Sequence, residues 1–359
     1  MLMGHPMQRV LFATVYPTEM AYTRLRAGQF RPYLEESGMD FRLWTFISPK
    51  DVGRWFAGGN LARTWILLRS LSRLVWLSRE VRNAAAVVVL REVLPFGPPV
   101  IERLAARKRP LVWDVDDAVW ESYPSMFFRW LPDWFRKTGH KYEAICGMAT
   151  EVWAGSEVLA EWCRRHNDRV KVVPTVVEVP RNRPDRDHVP VVGWIGSPST
   201  GGFVEQILPA LEEVEPRPHL IAVGSVVREL PDLAVEVTPW SQTAEEATLS
   251  RIAVGLYPID VSHPLAEGKA GFKAILYMSQ GIPVVVTPTP TNASIVRDGV
   301  EGLHARTMED WTHAVARLLT DRPLWDRCSR AAHERALSDY SLQRWGPKVA
   351  SFLSDLIRS

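Results

Sequence analysis

Paired cysteines, a long apolar run and an excess of one charge are all missing from these 359 residues. Cys146, Cys163 and Cys328 are odd in number, scattered and without metal-ligand spacing. They exclude a disulfide framework and a cysteine zinc site, and they point to a reducing compartment. No stretch reaches the ~18 apolar residues of a membrane span. Lys and Arg number 43 against 41 Asp and Glu, a net charge of +2, so no global field argues for nucleic acid. Residues 8–16, QRVLFATVY, are apolar and β-prone and run straight into polar residues. They read as a first strand rather than a signal sequence, and a cytoplasmic protein is expected.

Hydrophobic residues make up 46% and charged residues 23%, a globular composition. The length suits two domains of roughly 170 residues each. Short β-branched runs lie at 9–15, 41–46, 85–90, 110–115, 151–154 and 170–173, then at 191–195, 220–223, 235–237, 252–256 and 282–286. Helical stretches separate them. Mostly apolar strands alternating with helices predict parallel sheets covered on both faces, hence two doubly wound α/β domains. The series is interrupted at 180–188, PRNRPDRDH, which is charged, proline-bearing and aperiodic, as a linker would be. The predicted domains are 1–182 and 183–339. A C-terminal helix over 340–359, with Leu342, Trp345, Val349, Phe352, Leu353 and Leu356 at helical spacing, is expected to pack back on the first.

Ligands of open parallel sheets bind beyond the carboxyl ends of strands. After 191–195 comes Gly196-Ser197-Pro198-Ser199-Thr200-Gly201-Gly202, which suits a phosphate or, equally, a plain N-capped turn. Lys269 and Lys273 are spaced i,i+4, which would place both on one face near a helix start. Two ammonium groups at the positive end of a dipole favour a bound anion over solvent exposure. Asp114, Asp116 and Asp117 end the strand at 110–115, between Trp113 and Trp120. Carboxylates between indoles suit a sugar, and the same acids suit a turn or a divalent metal. Arg24 and Arg26 follow the first strand, where they could meet phosphate or an anionic acceptor. Residues 61–110 hold ten Lys or Arg against three Glu, with Trp65 and Trp76 among them. Peripheral contact with an anionic membrane is one reading. Arg63, Arg69, Arg73, Arg79 and Arg82 fall all round a single helical wheel, which favours a solvated helix packed on the sheet.

The sequence resembles the family-4 retaining glycosyltransferases over nearly its whole length. The segments that carry the resemblance are REVLPFGPP at 91–99, WDVDDAVW at 113–120, VVPTVV at 172–177, VGWIGSPST at 192–200, TPWS at 238–241 and the block 255–302. That block holds Gly268-Lys269, Gly271-Phe272-Lys273, Tyr277-Met278, GIPVV at 281–285, Asn292 and DGVEG at 298–302. The resemblance implies the GT-B fold, two Rossmann-like domains facing across a cleft. It implies a nucleotide-diphosphate sugar donor, a hydroxyl acceptor, retention of anomeric configuration, no obligatory metal and no further cofactor. Lys269 and Lys273 would stabilise the leaving diphosphate, with Asp116 and Asp117 in the reacting region. Gly196, Ser197, Ser199, Thr200, Trp240, Glu267, Gly271, Phe272 and Asn292 would bind donor; Arg24, Arg26, Arg91 and Glu92 would bind acceptor.

Two departures stand out. The family's two glutamates, eight positions apart, correspond here to Gly268 and Leu276, and its Arg and Lys after the first strand of the second domain to Ser197 and Gly202. The alternative reading is a non-catalytic nucleotide-sugar-binding or partner protein with a degenerate donor site. An epimerase on the same fold is a further alternative. A dinucleotide oxidoreductase lacks its G-x-G-x-x-G loop here.

Overall fold

A computed structural model of the chain describes residues 7–121, 139–228, 230–263 and 266–359. By its contacts the chain divides into two units: Met1–Thr175 with Trp345–Ser359, and Val176–Arg344.

The first unit is built on six parallel strands: β1 Gln8–Thr14, β2 Met39–Thr45, β3 Ala86–Leu90, β4 Leu111–Val115, β5 Glu151–Ala154 and β6 Val170–Val172. They lie in the order β2-β1-β3-β4-β5-β6. All five residues of β3, AVVVL, are buried, because helices on both faces leave a central strand no polar side. Trp44, Trp55, Trp113 and Trp153 fill the core. The end of the chain packs on the same unit, with the Phe352 ring centroid 6.3 Å from that of Trp153. Gly346 lies so close to Tyr33 that a Cβ there would come within 2.5 Å of the ring.

The second unit repeats the plan with β7 Val191–Ile195, β8 His219–Val223, β9 Ala234–Thr238, β10 Val254–Tyr257, β11 Val284–Val286 and β12 Gly302–His304. Its order is β12-β11-β10-β7-β8-β9. The three residues of β12, Gly-Leu-His, form no β-branched run, and the sequence does not announce them. What admits them is Gly302, where a Cβ would lie 2.0 Å from the Val284 carbonyl oxygen.

Residues 180–188 are not a free spacer. Arg183 Nη1 donates to Ser329 Oγ (2.7 Å), and Arg186 donates to the carbonyls of Gln280 (2.7 Å) and Leu249. His188 Nε2 meets the Leu318 carbonyl at 2.7 Å. Gln280 caps the helix Phe272–Ser279, and Leu249 and Leu318 lie in the last turns of Gln242–Arg251 and Met308–Thr320. The charged stretch therefore satisfies carbonyls that three helix C-termini leave open. Among the described residues no helix is long and apolar enough to cross a membrane.

One ion pair sits inside the first unit. Arg26, 1% exposed, donates through Nε and Nη2 to both oxygens of Asp114 (2.9 and 2.6 Å) and through Nη1 to the Val173 carbonyl (2.8 Å). Arg26 thus ties β4 to the chain beyond β6 instead of being offered to an acceptor. Arg26→Ala leaves Asp114 buried and unpaired, and should cost roughly 3–5 kcal/mol of stability in urea unfolding. Arg26→Met combined with Asp114→Leu should recover much of that loss, since the penalty lies in the orphaned charge.

Candidate anion site and its relatives

In the second sheet the strand order reverses between β7 and β10, and a doubly wound sheet opens there at its carboxyl edge. Trp194 stands near the end of β7 and Tyr257 ends β10. Lys273, in the first turn of Phe272–Ser279, lays its ammonium over both rings, 4.4 Å from the Trp194 centroid and 5.5 Å from that of Tyr257. Its Nζ donates to Thr200 Oγ1, at 3.3 Å. Among the described residues no carboxylate pairs with it. Burial, and then the charge of Lys269, push the Lys273 ammonium down to about 7.

Lys269 is not on the helix face that the i,i+4 spacing suggests. It lies in the loop before the helix, because the N-cap Gly271 takes a left-handed backbone (φ 69°) that interrupts the turn. A Cβ on Gly271 would also come within 2.1 Å of Ile295 Cδ1. The two lysines share a region, not a face.

The turn after β7 is shaped by close approaches. A Cβ on Gly196 would lie 2.3 Å from the Trp194 ring and 2.8 Å from Lys273 Nζ. Ser197 and Thr200 form a capping box at the entry to Gly201–Glu212, with the Ser197 amide donating to Thr200 Oγ1 (3.3 Å). The side chain of Ser199 lies outside the described residues. Beyond β8, Gly224 has φ 91°, and a Cβ there would collide with the Gly196 carbonyl oxygen at 2.1 Å and approach Trp240 Cβ at 3.2 Å. Strand ends β7, β8 and β9 are thereby gathered at one edge. Trp240 is 39% exposed, its Nε1 donating to Glu245 Oε2 (3.1 Å). Trp194, Tyr257, Gly224 and Glu245 join this edge without having been singled out from sequence; an aromatic at a strand's carboxyl end is the signal for the first two.

The other residues expected from sequence to bind donor are spread around the helix start. Asn292 is buried, with Nδ2 donating to the Thr287 carbonyl (3.0 Å), and its Oδ1 has no partner among the described residues. Phe272 is half-buried. Glu267 is exposed, and its backbone carbonyl accepts from Thr291 Oγ1 (3.2 Å). Leu276, at the position of the family's second glutamate, is buried.

The first sheet also reverses, between β1 and β3, and a cation stands there too. Arg91 follows β3 and lies over the Tyr22 ring at 4.5 Å. Its Nε donates to Asp116 Oδ1 and its Nη2 to Asp117 Oδ2, both at 2.6 Å. Its backbone is left-handed (φ 58°), and Trp113 Nε1 donates to its carbonyl (2.7 Å). Trp113 is fully buried and Trp120 stacks on Trp162 at 3.8 Å, so Trp113 is a support for Arg91 and not a sugar platform. The strand ends at Val115, so Asp116 lies past it and does not continue the alternation expected to place it on one strand face with Asp114; the two carboxylates serve different arginines. Glu92 Oε2 accepts from Lys141 Nζ (2.6 Å) and the Tyr142 hydroxyl (3.0 Å). Arg24 is half-buried on Ala21–Arg26. Among the described residues no group of three or more His, Cys, Asp or Glu is placed to hold a metal ion.

Residues 189–321 match the family model described as glycosyl transferases group 1. Among curated proteins nothing matches by sequence. Among solved structures, the chain is similar to sucrose-phosphate synthase from Thermosynechococcus elongatus, with a TM-score of 0.70, 15% identity and coverage of 98% of this chain and 99% of that one. It is similar to Anabaena HepE in complex with UDP and glucose (TM-score 0.68, 14% identity, 97% of this chain and 100% of that one). A glycosyltransferase from Rickettsia africae gives a TM-score of 0.67 at 12% identity, covering 99% and 100%. With two parallel six-stranded sheets and likeness to these structures over nearly its whole length, the chain has the GT-B fold, and its match to the glycosyl transferases group 1 model falls within the second unit, over residues 189–321.

Proposed function

We propose that the protein is a cytoplasmic glycosyltransferase that takes a nucleotide-diphosphate sugar as donor and passes its sugar, a hexose, to a hydroxyl acceptor with retention of configuration. The observation that carries the donor half is Lys273: a cation at the switch point of the second sheet, backed by two rings and, among the described residues, paired with no carboxylate. A diphosphate would supply the missing anion, with the Ser197–Thr200 turn and the start of Gly201–Glu212 donating to its oxygens. Trp240 would flank the base. HepE has been solved with UDP and with UDP-glucose, which supports a donor of this class.

The chemistry asked of these residues is electrostatic. As the bond from anomeric carbon to diphosphate breaks, charge grows on the leaving oxygens, and a pre-placed ammonium stabilises it without needing to reorient. Lys273 would do this directly, Lys269 from the adjoining loop. The reading assigns no step to a metal. On the acceptor side, Arg91 with Asp116 and Asp117 is the polar group at the first sheet's switch point. A second reading, donor binding without transfer, is favoured by one observation: Gly268 and Leu276 offer no carboxylate at the two glutamate positions.

Turnover separates the two readings. A panel of nucleotide sugars with hydroxyl acceptors should yield glycoside from at least one donor; binding with no product from any would establish the second reading. Lys273→Met should weaken nucleoside-diphosphate affinity by roughly 10- to 100-fold in calorimetry, the worth of a charge-assisted hydrogen bond, while the unfolding midpoint holds. Unchanged affinity would remove Lys273 from the site.

The pH dependence has a defined sign. Lys273 titrates at about 7 in the free protein, and an anion binds its protonated form. Affinity should therefore fall as pH rises from 7 towards 9, with proton uptake by Lys273 on binding. The phosphate, whose second ionisation is near 6, stays charged throughout. Lys273→Met should abolish that slope. Gly196→Ala should weaken binding by displacing Trp194 and Lys273, whereas Gly202→Ala, whose Cβ meets nothing within 4 Å, should not.

A further inference from the structure

The two longest helices between β2 and β3 are Asn60–Ser72 and Leu74–Asn83, and the first is apolar on both sides. Its inner side buries Ile66, with Ser70 beside it. Its outer side presents Leu61 (90% exposed), Trp65 (60%) and Leu68 (63%) at helical spacing, with Leu71 (42%) on the flank. In the second helix Leu77 and Val81 face inward, while Val75 (73%) and Trp76 (51%) are exposed. Val75, Arg79 and Arg82 are spaced four and three residues apart and share its outer face. The break at Arg73 explains why the arginines scatter on a single wheel: two helices were being read as one.

An outward face of Leu, Leu, Trp and Val is not that of a solvated helix, and so large a contiguous apolar surface marks an interaction site. The charge around it selects the partner. Between residues 60 and 83 there are five arginines and one acid, Glu80, and Arg9 Nη1 already occupies Glu80 at 3.2 Å. Arg79 and Arg82 are exposed. A second copy docking through the same patch about a two-fold axis would bring like charges together. An anionic surface would not.

We propose that the outer face formed by Leu61, Trp65, Leu68, Val75, Arg79 and Arg82 docks the protein on an anionic lipid surface, the apolar side chains entering the interface and the arginines meeting headgroups. Trp at the headgroup level and Arg beside it is the arrangement an interfacial helix adopts. The protein would lie on the bilayer, and the proposal holds whether or not the chain transfers sugar.

The test is sedimentation of the full chain with phosphatidylglycerol vesicles and, separately, phosphatidylcholine vesicles. Binding to the first, weak binding to the second and release by salt are expected. Arg79→Gln with Arg82→Gln should lower the partition coefficient roughly 30-fold, about fivefold per arginine, and Trp65→Ser with Leu68→Ser should abolish it. Unfolding midpoints and nucleoside-diphosphate binding, followed alongside, report that each variant is folded. Failure to bind phosphatidylglycerol at low salt would overturn the proposal. So would binding that both double variants retain, or a wild-type dimer that Trp65→Ser with Leu68→Ser converts to monomer without changing sedimentation.

Discussion

A cationic side chain drawn away from water has to be compensated, and the two sheets meet that requirement in opposite ways. At the first switch point Arg91 is answered inside the protein, by Asp116, Asp117 and the face of Tyr22. At the second, Lys273 is given aromatic faces and a hydroxyl but, among the described residues, no counter-charge. Cation–π contacts and one neutral acceptor are worth less than a carboxylate, which is why burial depresses the ammonium so far. The rest of the second unit's edge is arranged around that deficit. Gly196 makes room for the lysine, Gly224 lets the neighbouring turn close down, and Tyr277 accepts from the Ile195 amide to hold β7 in place (2.9 Å).

Much of the architecture is legible in the chain because parallel sheets write themselves plainly. A strand buried on both faces must be apolar throughout, and runs such as AVVVL and VVGWI admit few other readings. What escapes is structure decided by distant partners. The strand Gly302–His304 exists because Val284 offers a neighbour that only glycine can approach, and nothing local to Gly-Leu-His says so. The helix pair 60–83 escapes for a related reason: periodicity reports that both faces of Asn60–Ser72 are apolar without saying which one the sheet takes.

The site divides along the same line. Polar residues near a strand's carboxyl end can be found by inspection, as at Thr200 and Lys273, which do meet in the structure. The aromatic shelf beneath Lys273 comes from two different strands, one on each side of the switch point, and only the fold brings them together. Lys269 shows the limit of spacing: four residues separate it from Lys273, but a left-handed glycine between them ends the helical relation. Arg26 and Trp113 show the limit of residue type. An arginine beside a presumed site and a tryptophan beside carboxylates look functional, and both prove to be structural supports, Arg26 for Asp114 and Trp113 for Arg91.

The strap at 180–188 has a bearing on how such chains can be recombined. Arg183, Arg186 and His188 belong to the second unit by their bonds, Arg183 to the Ser329 hydroxyl and the other two closing off the ends of three of its helices. A second unit inherited or transplanted from the first residue of β7 onward would leave those carbonyls bare, whereas one taken from Val176 brings its own fasteners. The heritable joint between the halves thus falls ahead of the charged stretch, in the apolar sequence around Thr175 and Val176, where composition alone gives no hint of a seam.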